Sequence, residues 1–426
     1  MKSQTANKKF FLWFAFFAAI YIFTFSGCIA PDAIIENNPE ITAFNLMKDT
    51  TAQKVDTVEP DSGFYSAAAD FSIKLFKETL SESGNTIISP VSALLALAMA
   101  ANGADGDTLS QMENVLGGGI TIDVLNKYLY SFVKSLPGGP KEKLGISNSI
   151  WFREKRFDPY KDFLQANADY YGADAYAAPF DSQTVRDINT WINKATDGLI
   201  KKMLEDIPED AVMYLINTIL FDAEWAHNYE EGSVRKGVFS GYNKQNRSAD
   251  FMHSSENRYI TGKGVKGFIK PYYGSHYSFA AILPDEGIDI LKYAMELTGC
   301  EFFQLIVNAR NEQITTAIPK FNYVYEVIMN DALKAMGMED AFSDFRANFL
   351  RMGSSRGNLF ISLVKHKANI TVNERGTQAG AATVIEVSDR SFLPGPEVIL
   401  NRPFIFAIID NSSNIPLFIG AVLSVN

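Results

Sequence analysis

The chain reads as an α+β protein on three observations. In the front half apolar residues recur at helical spacing, and Phe64, Ala68, Phe71 and Leu75 mark one face of a helix running to Leu80. The back half carries β-rich runs, among them AVMYLINTILF, FIKPYYGSHYSFAAILP, EQITTAIPKF and NLFISLVKHKANITVN. Helices and strands are segregated instead of alternating, which points to large antiparallel or mixed sheets and away from a βαβ repeat. With 47% hydrophobic and 13% aromatic residues, a chain of 426 can bury a large core, as one large domain or two ordinary ones.

The first element is a targeting segment. Lys2, Lys8 and Lys9 precede the apolar run FFLWFAFFAAIYIFTF, which stops at Ser26-Gly27-Cys28. Small residues before a cysteine resemble a bacterial lipoprotein cleavage box. Residues 1–27 are therefore expected to be a signal peptide and Cys28 the lipidated first residue of the mature chain. An uncleaved membrane anchor is the alternative. Either way the globular part is expected outside the cytoplasm, and the lipoprotein reading holds it at the bacterial outer membrane or cell surface. Cys300 is the other cysteine; with Cys28 acylated it has no disulfide partner and is expected as a buried small hydrophobe.

Residues 28–62 hold prolines, acids and polar residues without sustained periodicity, and read as a flexible tether. The folded domain is expected over 63–426. ISPVSALLALAMAANGADGDTLSQMENVLG reads as two helices split at Asn102-Gly103. At the far end, Asp410 to Asn414 form a hairpin turn between the two strands that finish the chain.

Charge and motifs exclude several classes of chemistry. Thirty-nine basic residues against 49 acidic ones give a formal charge of −10, which opposes binding to nucleic acid or anionic lipid by bulk electrostatics. Membrane contact is expected through the lipid anchor alone, and the protein is expected to be a monomer. The four histidines, at 227, 253, 276 and 366, form no H-x-x-x-H pair, and no CxxC, Walker loop or dinucleotide glycine pattern occurs. No metal or cofactor is expected. A G-x-S-x-G pattern occurs at Gly353–Gly357, but the residues after it, NLFISLVKH, read as a strand where a nucleophile elbow requires a helix, so Ser355 is expected on a surface loop.

One segment reads two ways at once. In NERGTQAGAATVIEVSDRSF, alternate positions Thr377, Ala379, Ala381, Thr383, Ile385 and Val387 would form one face of a strand. Gly376, Gly380 and the alanines around Ala382 nevertheless hold a strand weakly, and the segment runs into Arg390-Ser391 and a Pro-Gly-Pro turn. It is dressed as a loop and patterned as a strand.

The order of several other segments accounts for that. NTIISPVS at 85–92, SNSIWF at 147–152, INTWINKATDGLI at 188–200 and LINTILFDAEW at 215–225 resemble serpin blocks. So do FMH, AILPDEG, IPKF, LKAMGMEDAF, VKHKANITVNERGT, NRPFIFAIID and PLFIGAV, which continue in serpin order to the end of the chain. The resemblance implies a serpin fold, with a five-stranded main sheet, two smaller sheets, about nine helices and an exposed reactive-centre loop over about 376–396. It implies no enzyme. The implied activity is inhibition of a serine endopeptidase, which is trapped as an acyl-enzyme when the cut loop inserts into the main sheet. A non-inhibitory binding or chaperone member, or one that traps cysteine proteases, is the alternative.

By the same resemblance, Glu374, Gly376, Thr377, Gln378, Ala379, Gly380, Ala381 and Ala382 form the hinge, whose small residues let the sheet open. Family spacing from Gly376 places the reactive bond at Arg390-Ser391, which suits trypsin-like pockets, with Phe392 as the alternative specificity residue. Ser89, Ser92, Asn217 and His366 match the shutter, where hydrogen bonds hold the sheet closed yet openable. Trp225 matches the tryptophan under the loop's entry point, and Trp191 is expected to pack the helix that covers the sheet. Fully extended, Gly376 to Arg390 would span roughly 46 to 50 Å.

Overall fold

Local signals set the helices in this computed structural model, which describes residues 40–378 and 395–425. The expectations for residues 1–39, including Cys28, and for Ala379, Gly380, Ala381, Ala382, Arg390 and Ser391 lie outside the described residues. Helix α1 (Ser62–Glu78) starts at Asp61, whose carboxylate accepts from the Phe64 amide and satisfies an N-terminal donor. It buries Phe64, Ala68, Phe71 and Leu75. Helix α2 (Pro90–Ala101) has proline in its first turn and is buried at all 12 positions, as a helix apolar all round must be. After the break at Asn102-Gly103 comes α3 (Gly106–Gly117), ended by Gly118 at φ +62, where a left-handed C-cap favours glycine. The remaining helices are α4 (Ile122–Ser135), α5 (Lys161–Tyr171), α6 (Ser182–Ala195), α7 (Ile290–Glu296), α8 (Gly299–Val307) and α9 (Asn330–Ala335), nine among the described residues.

Eighteen strands form among the described residues, several of them on the β-rich runs read from the sequence. In chain order they are β1 (Phe44–Asn45), β2 (Thr86–Ile88), β3 (Glu142–Arg153), β4 (Phe157–Pro159), β5 (Asp174–Ala178) and β6 (Met213–Glu224). Next come β7 (Val234–Ser240), β8 (Asn246–Gly262), β9 (Val265–Pro271), β10 (Tyr277–Pro284), β11 (Arg310–Pro319) and β12 (Phe321–Ile328). The last six are β13 (Gly353–Ser355), β14 (Leu363–Val372), β15 (Gly376–Gln378), β16 (Glu397–Ile399), β17 (Phe404–Asp410) and β18 (Pro416–Val422).

They form three sheets among the described residues. The main sheet has the order β1-β5-β3-β6-β15-β14-β12. It is therefore seven strands wide, not five, because two short strands join it: β1 at one edge and β15 in the middle. A nine-stranded sheet holds β2, β7 to β11 and β16 to β18, and a two-stranded sheet pairs β4 with β13. The principal core lies between the two large sheets and around α2, and a second cluster, which contains Trp151, Tyr176 and Trp191, packs α6 on the main sheet.

Two further expectations change. Residues 40–62, read as part of a tether, lie against the domain. β1 pairs with β5, and the Thr42 and Ala43 amides donate to Asp187 on α6. Their polar, aperiodic composition hid this, because the arm docks through backbone groups. Cys300 is exposed, not buried. It stands on the solvent side of α8, whose buried face is Gly299, Phe302 and Ile306.

Candidate functional site

Strands β6 and β14 run parallel, yet they pair directly over only three steps, from Leu363 opposite Tyr214 to Lys365 opposite Ile216. Beyond that the sheet is split. At the other end of the split sits β15, antiparallel to both neighbours: Gly376 and Thr377 face Glu224 and Ala223 on β6, while Thr377 and Gln378 face Val372 and Thr371 on β14. The segment expected to be wholly loop thus begins as a central strand. Between β15 and the first direct pair, Asn217 to Asp222 of β6 and His366 to Ile370 of β14 carry no ladder to each other.

The short strand is held by close fit and by polar contacts. A Cβ at Gly376 would lie 1.9 Å from the Ala223 carbonyl oxygen, so only glycine can enter there. Thr377 is buried, and its hydroxyl lies 2.5 Å from that of Tyr272. Burial pushes the Tyr272 phenol well above its ordinary range, so it stays a neutral hydroxyl. Trp225 stacks on Tyr272 with ring centroids 4.6 Å apart and donates its indole N–H to the Asn373 carbonyl at 2.8 Å. Its amide donates to Arg375 O and the Tyr229 amide to Glu374 O. Trp225 is therefore both a core aromatic and a clamp on the turn that leads into β15.

Charged groups frame this clamp. Lys320 and Glu374 meet at 2.7 Å, both about one-third exposed. Glu224 takes Lys141 and Arg375 on its two oxygens, and those cations hold its carboxyl below the usual range against the cost of burial. Deeper in, Lys270 and Glu256 form a buried pair at 2.7 Å, with the ammonium 4.5 Å from the Tyr229 ring centroid and 5.4 Å from that of Trp225.

A second cluster lies along the split. Ser89 caps α2, its hydroxyl accepting from the Ser92 amide, and its own amide donates to His366 Nε2 at 3.1 Å. With Nε2 accepting, Nδ1 carries the proton and donates to Asn217 Oδ1 at 3.2 Å. His366 therefore ties β14 to β6 and to α2 at the level where the ladder is missing. Complete burial pushes its pKa down to about 4, so it is neutral at pH 7. Asn217 Nδ2, Thr218 Oγ1 and Ser92 Oγ are buried without a partner among the described residues.

The structure thus brings Ser89, Ser92, Asn217 and His366 together, and separately Trp225 with Glu374, Gly376 and Thr377. Ser355 lies on β13 and donates to the Gly357 carbonyl. Trp191 donates to Asp174 and covers the sheet from α6. Sequence reasoning missed Tyr272, Tyr229, Lys320, Lys270 and Glu256. Each stands more than fifty residues from β15; Lys320 lay within the IPKF block, and Lys270 and Tyr272 within the run FIKPYYGSHYSFAAILP, but nothing in those runs marks them as partners of β15.

Comparison with known proteins gives the same picture. A family model described as Serpin (serine protease inhibitor) matches residues 66–425. Leukocyte elastase inhibitor A of Rattus norvegicus is 30% identical over 378 residues, which cover 84% of this chain and 98% of that protein. The native state of the thermophilic serpin tengpin superposes with a TM-score of 0.87 at 50% identity, covering 90% of this chain and all of that one. Its latent state gives 0.78 at 48% identity, with 87% of this chain covered. Most members of the family are protease inhibitors, which act on proteases and are not themselves enzymes. By its fold and by the reach of these matches, the chain belongs to the serpin family.

Proposed function

We propose that this serpin is a suicide-substrate inhibitor of a trypsin-like serine endopeptidase. The protease serine attacks the Arg390 carbonyl, the bond to Ser391 breaks, and Ser391 leaves as a new amino terminus. The freed segment then enters the main sheet behind Gln378, carrying the acyl-enzyme with it before water can release it. The observation that supports this reading is β15, seated between β6 and β14 above a split that lacks a ladder. Its two registers extend consistently: residue 383 would reach the level of Asn217, and residue 384 would meet the Lys365 and Ile216 pair.

In this reading Glu374, Gly376, Thr377, Gln378, Ala379, Gly380, Ala381 and Ala382 act as the hinge, and Ser89, Ser92, Asn217 and His366 as the shutter. Trp225 clamps the entry point. Incubating the full chain with trypsin-like, chymotrypsin-like and elastase-like proteases tests it on a denaturing gel. A protease-sized upward shift of the inhibitor band is expected with the trypsin-like enzyme. Cleaved inhibitor beside fully active protease in every lane would overturn it.

We also propose that the domain is a monomer, lipid-anchored through Cys28 on the outside of a bacterial membrane, the outer membrane or cell surface. The basic start, the apolar run and Ser26-Gly27-Cys28 support this. Mass spectrometry of the native protein is expected to find a lipidated amino terminus at Cys28, and Cys28→Ser should abolish it. An unmodified terminus at Met1 or well beyond residue 28 would refute the anchor.

A further inference from the structure

At the end of the main sheet far from the hinge, β3 and β4 are joined by a turn that collects positive charge. Arg153, Glu154, Lys155, Arg156, Pro179 and Arg356 line an open cleft of about 630 Å³. Four cations meet one carboxylate there, in a chain whose formal charge is −10. The carboxylate is engaged, since Glu154 pairs with Lys155 at 3.3 Å.

The cations are positioned, and not scattered. Arg153 stacks over Phe180 at 5.1 Å and donates to the carbonyls of Ala211, Pro179 and Pro208. Those bonds use three of its five N–H groups and fix the guanidinium in place. The β4–β13 ladder pairs Ser355 with Phe157, and the Arg356 amide continues it by donating to the Arg156 carbonyl at 2.8 Å. Arg156 and Arg356 are therefore cross-strand neighbours. Like charges directly opposite on a ladder repel, and both side chains are exposed without a hydrogen bond or ion pair among the described residues. A group that accepts from both would convert that repulsion into binding.

We propose that this cleft binds a phosphate-type oxyanion, held in a fork between Arg156 and Arg356 with Arg153 as a fixed third donor. Guanidinium groups suit such a ligand because they offer paired, charge-assisted donors to its oxygens. Two sources share this chemistry: free phosphate and the phosphate ester of a lipid headgroup. The proposal is independent of the inhibitory reading, since it uses no residue of the hinge, the shutter or the reactive bond.

Calorimetric titration and thermal melts of the full chain in detergent test it, with inorganic phosphate in one arm and glycerol phosphate in the other. Sodium chloride of equal ionic strength is the control. A saturable upward shift in melting temperature is expected in at least one arm, and Arg156→Gln combined with Arg356→Gln should weaken binding about tenfold or more. Saturation with phosphate alone assigns the site to the free anion. Tighter binding of glycerol phosphate assigns it to an ester. No shift beyond that in chloride, or an equal shift in the double variant, overturns the proposal. The single variant Arg356→Gln gives the same reading if the double variant does not fold.

Discussion

The hydroxyl of Tyr272 lies 2.5 Å from that of Thr377, joining the end of the nine-stranded sheet to the buried threonine of β15. Trp225 stacks on the same tyrosine and holds the carbonyl of Asn373, so one aromatic pair grips the chain before and within β15. Tyr272→Phe keeps the stack and removes the hydroxyl, leaving Thr377 Oγ1 buried. A loss of about 1 to 3 kcal/mol in unfolding stability is expected, as for any buried polar group deprived of its partner, and chemical denaturation of the uncut protein measures it.

Gly376 and Thr377 predict a stronger effect on function. Gly376→Ala puts a methyl group where the Ala223 carbonyl already lies, and Thr377→Arg buries a charge with no partner in view. Both should expel β15 and turn inhibitor into substrate. The number of inhibitor molecules consumed per protease inactivated should rise in each; an unchanged ratio would show that the hinge does not enter there.

Two ion pairs near β15 should differ widely in their worth. Lys320 and Glu374 are partly exposed, so solvent screens them, and Lys320→Ala is expected to cost under about 1 kcal/mol. Glu256 is the buried carboxylate beside Lys270, and Glu256→Gln would strand that ammonium against the Trp225 and Tyr229 rings at a cost of about 3 to 5 kcal/mol. Denaturant midpoints of the two variants decide the order.

His366 is expected to make the contact between β6, β14 and α2 sensitive to acid. Its folded-state pKa is depressed from 6.5 to about 4, so the folded protein takes up its proton later than the unfolded chain does. The stability it confers is complete above pH 6.5 and is lost as pH falls toward 4. Protonation at Nε2 would also break the bond from the Ser89 amide. The whole shift corresponds to roughly 3 kcal/mol. Melting wild type and His366→Gln across this window isolates the effect: the variant should start less stable and fall less steeply.

Cleavage after Arg390 should raise thermal stability. By register, insertion through residue 383 fills the split without parting any existing pair, whereas residue 384 and those beyond it must separate the three β6–β14 pairs. Each Ile or Val buried on the way contributes about 1.5 to 3 kcal/mol before conformational entropy is subtracted. The uncut form is then held kinetically. Equal melting temperatures for cut and uncut protein would rule insertion out.

Much of the fold was legible because it rests on local rules. The helical spacing of Phe64, Ala68, Phe71 and Leu75, the helix break at Asn102-Gly103 and the hairpin at Asp410 are short-range signals, and the elements they mark form there. The docked arm of residues 40–62 was not legible, since backbone donors reaching Asp187 leave no trace in side-chain periodicity. Cys300 failed for a related reason: whether a small apolar residue is buried depends on the face of α8 it occupies.

The same division holds at the site. The α+β class, the loop with a strand's alternation and the resemblance to the family, carried by the order of its blocks, could be read from the chain, because pattern and order are properties of the chain alone. That Gly376 to Gln378 already stand between β6 and β14, that Tyr272 receives Thr377, and that His366 spans the split follow from the packing of the sheets. Those contacts join residues 105 and 149 positions apart. Each exists because the packed sheets bring distant backbone to within a hydrogen bond's length, and neither the pattern of apolar residues nor any local propensity carries that distance.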